Sequence, residues 1–169
     1  EGQSYDKDGR LIYDGTFKSD LYNGTGKLYN VENEVVIYDG EFVDGLFQGA
    51  GRLTDLQTQR LLYDGEFYKG EYSGTGKLYT VSTGNLIYDG GFLKNEYYGS
   101  GKLWDEQGNL LYKGNFINGK YNGRGIRYDA TSGKALDAGE FRNGELVMPE
   151  SLKDMEDEDS YLDQQESVP

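Results

Sequence analysis

The sequence predicts an all-β fold, an elongated single-layer antiparallel sheet of tandem β-hairpins, with a short C-terminal capping helix. Three observations carry this prediction. A short motif recurs along most of the chain, each copy holds two segments in which side-chain types alternate, and glycine and tyrosine are abundant, with 26 Gly and 16 Tyr among 169 residues. Because there are only 2 Pro and no Gly-X-Y period, disorder and a collagen-like helix are both disfavoured.

The repeat consists of six copies of a segment of the form Leu-Ile-Tyr-Asp-Gly-x-Phe. Their glycines are spaced by 25 residues, with one step of 24, and lie at Gly15, Gly40, Gly65, Gly90, Gly114 and Gly139. A Gly-x-Gly segment follows each of the first five copies. Residues 3–9 resemble residues 102–108, so they are interpreted as the back half of an upstream unit. We therefore expect a repeat array over residues 1–146, with a half unit, five full units and a partial sixth, and an acidic tail over 147–169.

Each unit is expected to supply two strands, because residues alternate with a period of two in both segments. In the first unit, Tyr13 and Phe17 share one face with the glycines of the second segment, Gly24 and Gly26. An aromatic ring can lie flat over a backbone that carries no Cβ, so we expect both glycines to receive rings. Turn-forming residues within 18–23 and 30–34 are expected to join the strands.

The opposite face carries a repeated charge pattern. Asp14, Asp39, Asp64 and Asp89 recur with Lys27, Arg52, Lys77 and Lys102, whereas the fifth unit has Lys113 and Ile126 at these two positions. Because both positions change together, we expect them to be cross-strand neighbours, where opposite charges stabilise a sheet.

Composition excludes several kinds of function. The formal net charge of -13 disfavours nucleic acid as a partner, and the chain has neither Cys nor His. Thiolate nucleophiles, His bases and His metal ligands are therefore absent. The repeated acids are better explained as ladder partners than as a glycosidase pair, so we predict no enzyme, no catalytic or metal-binding residues and no cofactor. No apolar stretch is long enough to cross a bilayer.

The segment 63–78, Tyr-Asp-Gly-Glu-Phe-Tyr-Lys-Gly-Glu-Tyr-Ser-Gly-Thr-Gly-Lys-Leu, closely resembles the MORN (membrane occupation and recognition nexus) repeat. The resemblance extends from Leu11 to about Leu146, and the period near 25 is similar to the variant common in bacterial proteins. It implies stacked antiparallel hairpins and a role in scaffolding, dimerisation or attachment of an associated domain. The family name also implies lipid recognition.

Two aromatic columns are candidate partner-binding surfaces. The first, two residues before each Gly-x-Gly segment, contains Tyr22, Phe47, Tyr72, Tyr97 and Tyr121, and the second, after it, contains Tyr29, Tyr79, Trp104 and Tyr128. One interpretation is that both columns pack between neighbouring hairpins. The other is that they form an exposed strip that grips a peptide, a glycan or a second copy. The second column is expected to face away from the glycines, which makes it the better binding candidate.

The tail after Met148 carries eight acidic residues and one basic residue, Lys153. One interpretation is a solvated acidic tail. The preferred one is a terminal helix that covers the last apolar edge, with Ser151 and Asp154 as a capping box and Leu152, Met155 and Leu162 on one face.

These features favour a non-catalytic protein-interaction or scaffold module, whose partner is a protein or a second copy of the chain. A membrane-surface or cell-envelope module that recognises a lipid or glycan is the second hypothesis, and an accessory segment of a larger enzyme is the third. Because the first residue is Glu1, the chain is interpreted as part of something longer, and a membrane or envelope location would arise through a segment outside it.

Overall fold

The computed structural model describes residues 1–155, and these form one open sheet of thirteen strands. Every strand is antiparallel to its neighbours, and the spatial order follows the chain order from β1 to β13. The strands are β1 Gly2–Tyr5, β2 Leu11–Lys18, β3 Leu21–Tyr29, β4 Val36–Val43, β5 Leu46–Thr54, β6 Leu61–Tyr68, β7 Glu71–Tyr79, β8 Leu86–Leu93, β9 Glu96–Trp104, β10 Leu110–Ile117, β11 Lys120–Tyr128, β12 Ala135–Arg142 and β13 Glu145–Pro149. After the half unit β1, they make hairpin 1 (β2 and β3) through hairpin 6 (β12 and β13), as the repeat predicts.

Two-residue turns close the hairpins. In hairpin 1, Ser19 and Asp20 both have positive φ, 51° and 63°, and the corresponding pair in hairpin 2, Asp44 and Gly45, has 50° and 82°. Positive φ at both central residues is the geometry of a type I′ turn, whose twist matches that of the flanking strands. The expected connection over 18–23 is therefore wrong in length, because pairing continues to Lys18 and Leu21.

Loops of five or six residues join successive hairpins. In several loops the side chain of the first residue accepts hydrogen bonds from backbone N–H groups of the same loop. In loop 55–60, Asp55 accepts hydrogen bonds from the backbone N–H groups of Gln57 at 3.2 Å and Thr58 at 2.8 Å. These bonds stabilise the carboxylate, with that from Thr58 the strongest, and they lower the pKa of Asp55. Loop 105–109 has five residues, and this accounts for the single repeat step of 24.

The core is a continuous column of aromatic rings on one face of the sheet. Tyr63 is fully buried and stacks on Tyr72 of its own hairpin, with ring centroids 3.9 Å apart and an interplanar angle of 10°. Phe92 of the next hairpin meets the same ring edge-on at 5.2 Å and 87°. Similar contacts recur from Tyr13 to Phe141. Each hairpin thus completes the packing of the previous one, which makes stability a property of neighbouring units.

The second glycine of each Gly-x-Gly segment lies beneath a buried tyrosine, as predicted. A Cβ added to Gly76 would overlap the ring of Tyr63, while the tyrosine hydroxyl donates a hydrogen bond to the carbonyl of Glu66 at 3.0 Å. This bond explains why the position holds tyrosine, since the hydroxyl finds a partner inside the core. Burial raises the pKa of Tyr38, Tyr63, Tyr88 and Tyr112 well above the ordinary value of 10.

The first glycine of each segment has a different role from the one predicted. Gly74 has φ of +62°, and the atoms that an added Cβ would meet belong to the Glu66 carboxylate rather than to a ring. The pairing register shifts between Gly65 and Phe67, directly opposite. The expectation that rings lie over both glycines is therefore wrong, because the first glycine supplies the left-handed backbone of a β-bulge.

A short helix at 152–155 follows β13. The expected helix is therefore present in the described residues, although its position differs, since Met155 packs on Ile126 of β11 and Ala138 of β12. It covers one face of β11 and β12, inside the edge strand β13. The expected boundary after residue 146 falls within β13, and Leu162 lies outside the described residues.

Candidate functional site

The face opposite the aromatic core, here called the outer face, carries the side chains that vary most between hairpins. Alternation along β6 places Tyr63 and Phe67 on the core face and Asp64 and Tyr68 on the outer face. Three rows cross the outer face from hairpin to hairpin. One lies near the two-residue turns, one is charged and central, and one is aromatic and lies near the loops.

The central row alternates in charge across eight strands, from Asp14 of β2 to Lys102 of β9. Lys27 is paired with Asp14 on one side and Asp39 on the other, and the same pattern continues through Arg52 and Lys77. Ion pairs join successive hairpins at 3.2 Å for Lys27 with Asp39, 3.4 Å for Arg52 with Asp64 and 3.6 Å for Lys77 with Asp89. The expected cross-strand relationship is therefore present, and it links neighbouring hairpins.

The row changes character from hairpin 5 onwards. Lys102 of β9 is paired with Lys113 of β10, which is paired with Ile126 of β11, which in turn faces Ala138 of β12. Lys102 and Lys113 are half-buried, whereas Lys27 is exposed. The alternating charges are thus replaced by two lysines and then by two apolar residues.

Polarity is exchanged between the two faces at this end of the sheet. Arg127 occupies the core-face position held by Leu103 in hairpin 4, and Asp137 occupies that of the buried tyrosine Tyr112. The guanidinium Nε of Arg127 donates to the Asp137 carboxylate at 3.2 Å. Between β11 and β12 the core face therefore carries an ion pair at the positions of Leu103 and Tyr112, whereas the outer face gains the apolar pair of Ile126 and Ala138.

This apolar pair is the centre of a seat for the C-terminal helix. Ile126, Ala138 and Met155 are 1%, 2% and 6% exposed, and Tyr128, Ala135 and Leu152 pack around them. Glu150, which leads into the helix, accepts a hydrogen bond from Nη2 of Arg124 at 2.8 Å. The seat shows that the outer face can bury a short helix when the central row becomes apolar.

The first aromatic column lies in the core. All five members stack on the buried tyrosine of their own hairpin, with centroids 3.8 to 3.9 Å apart, in Tyr22, Phe47, Tyr72, Tyr97 and Tyr121. Their half-exposed sides are the surface of the ring column. This geometry favours the packing interpretation, and a binding role for the first column stays a prediction.

The second column lies apart from the aromatic core. Tyr29, Tyr79, Trp104 and Tyr128 are half-buried at the strand ends that lead into the inter-hairpin loops. Alternation places Tyr79 opposite the core residue Leu78, and Tyr128 belongs to the helix seat. Adjacent hairpins are about 10 Å apart, so the four side chains form an interrupted line with Thr54 at hairpin 2. A binding role for this column also stays a prediction.

Two features of the outer face were not predicted from the sequence. One is the row near the turns, whose signal is an apolar residue at the last paired position of most hairpins, such as Val43 and Leu93. The other is the exchange of polarity, whose signal is the order of residues in Ile126-Arg127, since the earlier units have a basic residue before leucine.

A repeated hairpin array with a tyrosine-on-glycine core defines a class of modular, non-globular β protein. Comparison with family models gives matches to the MORN repeat at residues 13–31, 38–55, 63–82 and 112–134. The chain therefore belongs to the MORN-repeat family. Hairpin 4 lies between the matched segments and has the same pairing and ring contacts. Among curated proteins, none matches the chain.

The described residues place limits on two other kinds of site. Within 1–155, no group of three or more acidic side chains is arranged to hold a metal ion. The helical structure in the same range is too short to cross a membrane.

Proposed function

We propose that the chain is a non-catalytic protein-interaction or scaffold module that binds a protein partner on its outer face, through the line of Tyr29, Tyr79, Trp104 and Tyr128. The observation that carries this proposal is the helix seat. There the outer face already buries apolar side chains of a helix against Ile126 and Ala138, with Tyr128 of the same line in contact.

The chemistry of the line indicates the kind of partner. Tyrosine and tryptophan offer large contact areas and lose little side-chain entropy on binding. The line runs beside a row of alternating charges, including Lys77 and Asp89. A partner segment with an apolar stripe and flanking charges of both signs fits this surface.

The repeated carboxylates support a structural role rather than catalysis. Asp39, Asp64 and Asp89 each lie within 3.2 to 3.6 Å of a basic side chain in the preceding hairpin. Each carboxylate is therefore engaged as a cross-strand partner of a neighbouring hairpin, which is a structural role. The MORN family is also generally non-catalytic, which supports the same conclusion.

The test uses a photo-crosslinking residue placed at Tyr79, with exposed Lys94 in the two-residue turn of hairpin 4, at the opposite edge of the sheet, as the control position. A protein captured from Tyr79 is then purified and titrated against the chain. We expect Tyr79→Ser and Trp104→Ala to weaken its binding by at least about tenfold each, and Lys94→Ser to leave it unchanged. Equal affinity for all three variants would overturn the proposal.

The lipid or glycan hypothesis is tested separately by flotation with anionic liposomes at low and high salt. The net charge of -13 predicts no binding to these vesicles. Robust, salt-sensitive flotation would replace the protein partner with a membrane surface. The third hypothesis, an accessory segment of a larger enzyme, is tested by the sequence of the complete open reading frame.

A further inference from the structure

Six exposed apolar side chains form a row beside the hairpin turns, and we propose that this row is the surface through which two copies of the chain associate. We call it the turn ridge. Its members are 44 to 54% exposed and come from five consecutive hairpins, namely Leu21, Val43, Leu46, Tyr68, Leu93 and Ile117. The ridge is separate from the aromatic line proposed above to bind another protein.

The sheet register places the ridge on the outer face. Val43 and Leu46 are the last paired residues before the turn of hairpin 2, and the preceding pair, Phe42 with Phe47, belongs to the core face. Since side chains alternate along a strand, Val43 and Leu46 point to the other side. The same relationship holds for Leu93 in hairpin 4.

The regular recurrence of the ridge residues distinguishes them from ordinary surface variation. Single exposed apolar side chains are common, whereas here each of five consecutive hairpins contributes at least one at the same level of the sheet. Hairpins lie about 10 Å apart, so the row is about 40 Å long, with apolar residues on both strands in hairpin 2 and a charged partner beside the apolar residue in the other four. One member, Tyr68, also lies under the Nζ of Lys69, 5.3 Å from the ring centroid.

The charges beside the ridge favour a second copy as its occupant. The turns and the residues flanking them carry five basic and five acidic side chains, which are Lys18, Lys69, Lys94, Lys120, Arg142, Asp20, Asp44, Glu71, Glu96 and Glu145. This edge is therefore neutral, although the whole chain has a net charge of -13. Two identical acidic molecules repel each other over most of their surfaces, and a neutral apolar edge is where they can meet.

The order of the charges fits an antiparallel arrangement about a two-fold axis between hairpins 3 and 4. Such an axis places hairpin 2 opposite hairpin 5 of the second copy, and therefore Asp44 opposite Lys120. Hairpins 3 and 4 face each other, and each carries one lysine and one glutamate. Hairpins 1 and 6 also carry equal numbers of both signs. The ridge is thus complementary to itself, as a closed two-fold interface requires.

Sedimentation velocity of the chain over a range of concentrations tests the association. We expect a dimer with a dissociation constant at or below the order of 10 µM, and we expect Leu46→Lys or Leu93→Lys to raise it at least about tenfold. Leu56→Lys is the matched control, because Leu56 is 50% exposed and lies in a loop at the opposite edge of the sheet. A chain that stays monomeric, or a dimer that Leu46→Lys weakens no more than Leu56→Lys, would overturn the proposal.

A charge exchange tests the two-fold register. Asp44→Lys and Lys120→Asp each place like charges together, and we expect each to raise the dissociation constant about fivefold. The double variant restores the pair with reversed signs, so its constant should return to within about twofold of the original. If the effects of the two changes simply add, the proposed register is wrong. Circular dichroism of each variant checks that the fold is retained.

Discussion

The two faces of the sheet follow different rules along the chain. On the core face, the same contact recurs from hairpin to hairpin, with a buried tyrosine over a glycine and a ring of the next hairpin against it. On the outer face, the residues at one register position change from Asp64 to Lys113 to Ala138. The difference teaches that the core face specifies the sheet, whereas the residues of the outer face are free to vary from hairpin to hairpin.

Alkaline pH should cause the largest loss of stability, and this loss should come from the core face, where the buried tyrosines lie. Burial raises the pKa of core tyrosines such as Tyr63 and Tyr88, so the unfolded chain loses these protons first. Their contribution to stability is complete below about pH 10, the unfolded value, and falls as pH rises towards the folded value, by up to about 1.4 kcal/mol per pH unit for each tyrosine. Phenolate absorbance and circular dichroism should therefore change together above pH 10. Titration of these tyrosines near pH 10 in a folded sheet would contradict the packing.

Substitution of a single core tyrosine should cause the next largest loss in the free energy of unfolding. Tyr63→Ala removes a fully buried ring and should lower the free energy of local unfolding by about 3–5 kcal/mol, measured by hydrogen exchange in β6 and β7. Tyr63→Phe removes only the hydrogen bond to Glu66 and should cost about 1 kcal/mol. Similar losses for both variants would show that the hydroxyl, rather than the ring, holds the hairpins together.

Substitutions along the central row of the outer face should reduce stability less, and the loss should depend on whether the side chain is buried or exposed. Ile126→Ala removes a buried side chain beneath Met155 and should lower local stability by about 2 kcal/mol, with faster proteolysis near the helix. Arg52→Ala removes an exposed ion pair with Asp64 and should cost less than about 1 kcal/mol, and less still at high salt. A larger loss for Arg52→Ala would assign the outer face a structural role in every hairpin.

The sequence predicts most of the core face and the charged ladder of the outer face, but not the row beside the turns or the exchange of polarity in hairpins 5 and 6. Tyrosine and glycine recur because the packing of one hairpin on the next demands them, so period and alternation are sufficient to predict the sheet. The stack of Tyr72 on Tyr63 depends on the exact cross-strand offset, which turn length decides. The role of Gly74 depends on its positive φ, and composition cannot reveal a dihedral angle.

The helix position could be predicted only in part. Its apolar residues are visible in the sequence, but its seat is created by exchanging polarity between adjacent positions, Ile126 with Arg127 and Asp137 with Ala138. A period-two pattern that shifts by one residue moves its apolar side chains to the other face. Only the paired strands show that both exchanges fall at the same place in the sheet.

The inter-hairpin loops have an evolutionary consequence. Loop 105–109 is one residue shorter than loop 80–85, yet Tyr88 and Tyr112 occupy equivalent places in the ring column. Since the length difference is absorbed outside the paired strands, recombination within loops can add or delete whole hairpins without disturbing those that remain. The number of hairpins in such an array can therefore change in evolution independently of the residues on its outer face.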